Sequence, residues 1–211
     1  MHTKKIQLLL LLVCLGCLFL CSCGLDEYYV IEPPVALREV SPDTDSQTEM
    51  YYQFWEKSKD DTFYQVRQRG CAVYYSLYSD KTKLTSDINR IKSVNKEYSE
   101  NGFNTMKSAA AYQPMMFTGS QTSEFLNLAS SEETYTIELT TTTVEPGSSS
   151  QIDLLIVTRA SDNAEFHVSI TKPDEPGEWY INAYAVNVGD VSLVEHYSAL
   201  APLGALHFTV Q

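Results

Sequence analysis

Apolar residues along this chain recur mostly in short runs with a two-residue period, bounded by turn residues, which is the pattern of half-buried β-strands. Tyr135, Ile137 and Leu139 alternate with Thr136, Glu138 and Thr140, predicting a strand with one face in a core and the other in water. A turn signal at Glu145-Pro146-Gly147-Ser148 follows. Ile152 to Val157 and Phe166-Val168-Ile170, joined through Ser161-Asp162-Asn163, then predict an antiparallel meander. Further strands are expected over Val35 to Val40, Met50 to Trp55 and Cys71 to Tyr78. After the break Lys172-Pro173-Asp174-Glu175-Pro176-Gly177, three more are expected over Trp179 to Val188, Val191 to His196 and Leu206 to Val210. One segment has a helical period instead. Leu84, Ile88, Ile91, Val94 and Tyr98 predict a single amphipathic helix, with Thr85 or Ser86 as N-cap and Gly102 near its exit. Its polar face mixes Asp87, Arg90, Lys92, Lys96 and Glu97, which is no basic stripe for a membrane surface. No internal repeat is visible.

The N-terminus has a different organisation. Lys4 and Lys5 precede an uncharged run from Leu8 to Leu20, the n-region and h-region of an export signal. As a helix this run spans only about 20 Å, short of the roughly 30 Å hydrocarbon core, so a permanent transmembrane anchor is not expected. Directly afterwards, Leu20-Cys21-Ser22-Cys23-Gly24 resembles the lipobox of bacterial lipoproteins, with Leu three places before the cysteine and a small Ser immediately before it. Cys21 stands where that box commonly has Ala, Ser or Thr. The resemblance implies cleavage between Ser22 and Cys23 and acylation of the Cys23 thiol. It therefore implies a signal peptide over 1–22, an acylated N-terminus and tether over 23–34, and a folded domain over 35–211. Cys17 and Cys21 fit the box less well, because Cys21 follows the bulky Leu20 and Cys17 lacks a branched aliphatic residue three places before it.

Composition narrows the function classes. The chain has 211 residues, 44% hydrophobic and 20% charged, enough for a sizeable core. Its 15 basic and 27 acidic residues give a formal charge of −12, which disfavours nucleic acid as a partner. Loss of residues 1–22 would remove Lys4 and Lys5 and no acid, leaving 13 basic against 27 acidic residues, a formal −14. Cys14, Cys17 and Cys21 would leave with the signal and Cys23 would carry lipid, so Cys71 alone would remain a thiol, without a disulfide. Its apolar surroundings, Cys71-Ala72-Val73-Tyr74-Tyr75, predict a buried structural thiol. The acidic, proline-punctuated stretch before residue 50 predicts a tether over Gly24 to about Pro34.

Several patches together resemble a fibronectin type III-like sandwich. The proline-containing start before Val35 is similar to its first strand, and Tyr52-Gln53-Phe54-Trp55 to its second with a core tryptophan. Gly70-Cys71-Ala72-Val73-Tyr74-Tyr75 resembles the third, with Cys71 in place of a Tyr. Tyr180 to Val186 resembles the penultimate strand, and Tyr197-Ser198-Ala199 with Leu203-Gly204 the approach to the last. The same pieces, with Cys23-Gly24-Leu25-Asp26, resemble lipoproteins of spirochaetes. The resemblance covers scattered patches and leaves Leu84 to Ser131 without a counterpart. It implies a mainly β chain: an elaborated fibronectin type III-like (Ig-like) antiparallel sandwich with one helical insertion near 84–102. A module of that class has about 100 residues, so this chain would be one elaborated domain.

No chemical constellation identifies a reaction. His167, His196 and His207 are not at paired metal-ligand spacing, and no metal or cofactor is expected. His167 is expected on the exposed face of a strand. Glu195, His196 and Ser198 are triad residue types, but no nucleophile elbow or oxyanion loop accompanies them. Asp43-Thr44-Asp45-Ser46-Gln47 opens like a calcium loop, yet Thr48 and Phe54 occupy the positions that need Gly and Glu, so an acidic linker is expected. Lys59-Asp60-Asp61 and Ser131-Glu132-Glu133 read as solvated loops. The 14 tyrosines include doublets at Tyr28-Tyr29, Tyr51-Tyr52 and Tyr74-Tyr75, where one ring should enter a core and its neighbour the opposite face. The expectation is a lipid-anchored, non-enzymatic envelope protein that meets membrane lipid through acylated Cys23 and an envelope or surface protein through its sandwich. Its location would be the outer membrane or the periplasm-facing inner membrane. The alternatives are a small-ligand or glycan binder using exposed tyrosines, and an enzyme built around His167 or His196.

Overall fold

The computed structural model describes residues 31–42, 50–56, 67–119, 122–126, 132–140, 143–144, 151–171, 173–191 and 193–211. The signal peptide, Ser22 and Cys23, the tether up to residue 30, Tyr28-Tyr29, Asp43 to Gln47, Lys59-Asp60-Asp61 and the turn at 145–148 lie outside the described residues.

Two mainly antiparallel sheets form a sandwich-like arrangement. The longer strands are β1 (Val35–Arg38), β2 (Tyr51–Glu56), β3 (Arg67–Tyr78), β8 (Glu133–Leu139), β10 (Gln151–Arg159), β11 (Glu165–Thr171), β12 (Gly177–Val191), β13 (Val194–Tyr197) and β14 (Ala201–Val210). Two-residue strands fill the edges: β4 (Gln113–Pro114), β5 (Phe117–Thr118), β6 (Thr122–Ser123), β7 (Phe125–Leu126) and β9 (Thr143–Val144). One sheet has the order β1-β2-β8-β10-β11-β5-β6 and contains the expected meander, β8-β10-β11. The other has the order β4-β3-β12-β14-β9, with β13 also on β12 and β7 on β3. The single strand expected over Val191 to His196 is instead broken by a tight reversal, because Val191 pairs with Val194 across the β12–β13 hairpin.

Alternation along the strands decides which residues enter the core. Tyr52 and Phe54 of β2, Tyr135, Ile137 and Leu139 of β8, and Leu155 and Val157 of β10 face inward. They meet Cys71, Val73 and Tyr75 of β3 and Ile181, Ala183 and Ala185 of β12 from the opposite sheet. Each large side chain so buried contributes about 1.5–3 kcal/mol relative to exposure. The same alternation corrects the reading of Trp55 as a core tryptophan. Trp55 lies between inward Phe54 and inward Glu56, so it takes the outer face and is only half-buried. Tyr52 crosses the core fully: its hydroxyl donates to the Ile181 carbonyl and accepts from the Leu206 amide at 3.4 Å.

A second core lies on the outer face of the β3–β12 sheet, beneath two helices rather than one. Helix α1 (Lys81–Val94) starts earlier than its apolar period implies, because Asp80 caps it by accepting from the Thr82 amide at 2.7 Å. It ends at Asn95, short of Tyr98, whose φ is +61°. Helix α2 (Asn101–Ala109) then begins at the position expected to be an exit. Gly102 sits inside it because a Cβ there would lie 2.4 Å from the Asn95 Oδ1, so only glycine permits the approach of the two helices. Leu84, Ile91, Phe103 and Met106 pack on Ala72, Tyr74, Tyr184 and Val186. Among the described residues, no helix is long and apolar enough to cross a membrane.

The N-terminal segment links the two sheets. β1 extends the first sheet at its edge, and Val40 then bridges to Gly204 of β14 in the second. The Val40 amide donates to the Leu203 carbonyl, and the Ala205 amide donates to the Val40 carbonyl, both at 3.0 Å. Gly204 is required here. Its φ is +88°, and a Cβ would meet the Val40 oxygen at 2.0 Å.

Candidate functional site

Strand direction places several features at one end of the sandwich. β1 begins where β2 ends, with Val35 opposite Trp55, and β12 ends there too, with Asp190 opposite Arg67 at the start of β3. The segment before β1 therefore enters at this pole, while Gly177 and Val210 pair at the opposite one. Asn187 of β12 ties that segment down: its Nδ2 donates to the Glu32 carbonyl at 2.9 Å, and its backbone amide donates to the Ser198 hydroxyl at 2.9 Å.

Ile31 lines a cleft at this pole with Tyr98, Ser99, Glu100, His196, Tyr197, Ser198 and Ala199. Glu100, at the start of α2, reaches across it. One of its oxygens lies 3.0 Å from the His196 Nδ1 and accepts from the Tyr197 amide at 3.0 Å. The Tyr197 ring stacks on Phe103 at 3.6 Å, and its hydroxyl donates to Glu195, which also pairs with Arg69. Burial and the Glu195 carboxylate hold the Tyr197 phenol well above its usual range. The cleft encloses about 40 Å³, room for a few waters, against the 300 Å³ or more of a typical small-molecule site.

The triad residue types are not brought together. Glu195 faces Arg69 and Tyr197, His196 faces Glu100, and the buried Ser198 hydroxyl donates to the Ala199 carbonyl at 2.8 Å. The other histidines lie elsewhere. His167 is exposed on β11, as its alternation predicts. His207 on β14 pairs with Glu178 and stacks on Tyr180 at 4.9 Å. Among the described residues, no three His, Cys, Asp or Glu side chains are grouped to hold a metal ion.

The doublets divide as alternation requires. Tyr52 enters the inter-sheet core while Tyr51 carries Arg38 over its ring at 4.4 Å. Tyr75 enters the same core and Tyr74 the helix-covered one. The phenols are largely engaged: Asn182 donates to the Tyr112 hydroxyl at 2.6 Å, and Tyr78 donates to Asp87 of α1 at 3.1 Å. Burial raises the Tyr112 phenol strongly and pushes Tyr78 up to about 12. Cys71 is fully buried, and burial raises its thiol well above the usual range, as expected of a structural cysteine.

Sequence reading missed the acidic side chains inside this pole. Glu133, read as part of a solvated loop, is buried. Its position opens the alternation of β8, and its Oε1 accepts from the Thr134 and Ser161 amides at 3.0 and 3.1 Å. Glu56 pairs with Glu133 across β2 and β8 and is also buried, and among the described residues neither of its carboxyl oxygens has a hydrogen-bond partner. Burial pushes Glu56 up to about 8, opposed in part by Asn187 from the facing sheet, so it is held neutral at pH 7. The signal was present, since Glu56 follows Tyr52 and Phe54 at intervals of two.

Comparison with protein families, curated proteins and solved structures gives no match to this chain.

Proposed function

We propose that this chain is a lipid-anchored, non-enzymatic cell-envelope protein whose β-sandwich acts as a protein interaction or structural module. The observation that carries this reading is Leu20-Cys21-Ser22-Cys23, set directly after two lysines and the uncharged run from Leu8 to Leu20. On this reading the export signal is removed between Ser22 and Cys23, and the Cys23 thiol takes a diacylglyceryl group. Each buried CH₂ contributes about 0.8 kcal/mol, so two or three chains anchor stably where one does not. The chain from Cys23 to residue 30 then forms the tether, which is shorter than the expected 23–34 because Ile31 is buried and Asn187 holds the Glu32 carbonyl, and the protein belongs to the outer membrane or the periplasm-facing inner membrane. The fibronectin type III-like and spirochaete-lipoprotein resemblances of the strand motifs support the same assignment.

The interaction module is preferred to a glycan or small-ligand binder because, among the described residues, Tyr52, Tyr75, Tyr112, Tyr135 and Tyr184 are all buried and Tyr98 is the one strongly exposed tyrosine ring. It is preferred to an enzyme because His196, Glu195 and Ser198 each bond to a different partner. Detergent phase separation tests the anchor. Wild-type protein is expected in the detergent phase and Cys23→Ala in the aqueous phase, and a Cys23→Ala protein that stayed with detergent would overturn the assignment. Proteolysis of intact and permeabilised cells then separates a surface-facing module from a periplasmic one.

A further inference from the structure

We propose that the pole at which the N-terminal segment enters is a bilayer-seating surface, with the β12–β13 hairpin tip, Leu193 and Val194, as its insertion point. The proposal rests on the acylated Cys23 reading above and adds an orientation to it. Six large apolar side chains are strongly exposed among the described residues: Val35, Leu37, Tyr98, Met116, Leu193 and Val194. Four of these belong to this pole. Val35 begins β1 opposite Trp55, Tyr98 lines the cleft beside Ile31, and Leu193 and Val194 cap the hairpin whose strand β13 supplies His196 and Tyr197 to that cleft. Leu193 is 97% exposed and Val194 is 57% exposed.

The hairpin is also built against local preference. Beside the Val191–Val194 pair, Leu193 has a φ of +69°, a conformation that favours Gly or Asn. A leucine held there in full contact with water costs both backbone strain and apolar hydration, and a site that breaks local rules in this way is a functional candidate.

Chain length names the occupant. Only seven residues lie between Cys23 and Ile31, and the eight steps of chain reach at most about 28 Å, so an acyl group on Cys23 holds this pole near the lipid surface. The opposite pole, a full β12 away, cannot be the one that faces it. Contact is apolar rather than electrostatic. Arg69 beside the hairpin is occupied by Glu195 and by Asp190 at 3.8 Å, and the chain as a whole is strongly acidic.

The test uses the full acylated protein in phosphatidylcholine vesicles. With Cys23 acylated and Cys71 buried, Leu193→Cys introduces an accessible thiol for an environment-sensitive dye, and Asp174→Cys does so at the opposite pole. The dye at position 193 is expected to shift to the blue and lose emission when the vesicles contain spin-labelled lipid. The dye at position 174 is expected to do neither. Equal responses at both positions on vesicle-bound protein would overturn the seating alone. Protein that stays in the aqueous phase would overturn the anchor, and the seating with it.

Discussion

Glu56 is the residue whose environment most affects behaviour in solution. The folded state holds its proton more tightly than the unfolded chain, because burial raises it from 4.5 to about 8. Its contribution to stability is therefore complete below about pH 4.5 and is lost as pH rises through about 8, at about 1.4 kcal/mol per pH unit between those values. Glu56→Gln keeps the shape and removes the charge. Denaturant midpoints for the two proteins should diverge across this window, with the Gln variant the more stable at the alkaline end, and parallel curves would contradict the burial of an unpaired acid. Gly204 makes an independent prediction, because Val40 lies where a Cβ would go. Gly204→Ala should destabilise by more than about 1 kcal/mol through backbone strain and loss of the Val40 bridge, read as a lowered denaturant midpoint. At this scale the sequence was legible wherever one residue's alternation decided its face, as for Tyr51 and Tyr52. It was misleading where a charged residue broke the expected polarity, as Glu133 does.

Among the elements, the strands were read well because period-two burial is a local property of each run. The helices were read less well because their limits depend on contacts distant in sequence. Asn95 illustrates this: its Oδ1 accepts from the Leu200 amide and its Nδ2 donates to the Leu200 carbonyl, each at 2.9 Å. This pair of bonds fastens the α1–α2 junction to the segment before β14, across more than 100 residues that no sequence window spans. Asn95→Ala should cost about 1–3 kcal/mol by leaving the Leu200 groups without partners. Hydrogen exchange would report it as faster exchange confined to α1 and α2, and uniform loosening of both sheets would contradict that account. Trp55 missed the core for a related reason, since resemblance to a sandwich strand supplied a role that the phase of β2 does not allow.

For the molecule as a whole, the two-sheet arrangement follows from many concordant strands, whereas the composition of its poles emerges only when strand order and direction are known. Val35, Tyr98 and Leu193 are far apart in sequence, and the topology alone gathers them where the N-terminal segment enters. That gathering matters for function only if the chain before Ile31 is tethered to lipid, so the central claim is the modification of Cys23. The most direct measurement is the intact mass of the protein extracted from membranes, with fragmentation of its N-terminal peptide. The account predicts a chain that begins at Cys23 and carries two or three acyl chains on that residue. A chain that retains residues 1–22, or one in which Cys23 bears a free thiol, would contradict it.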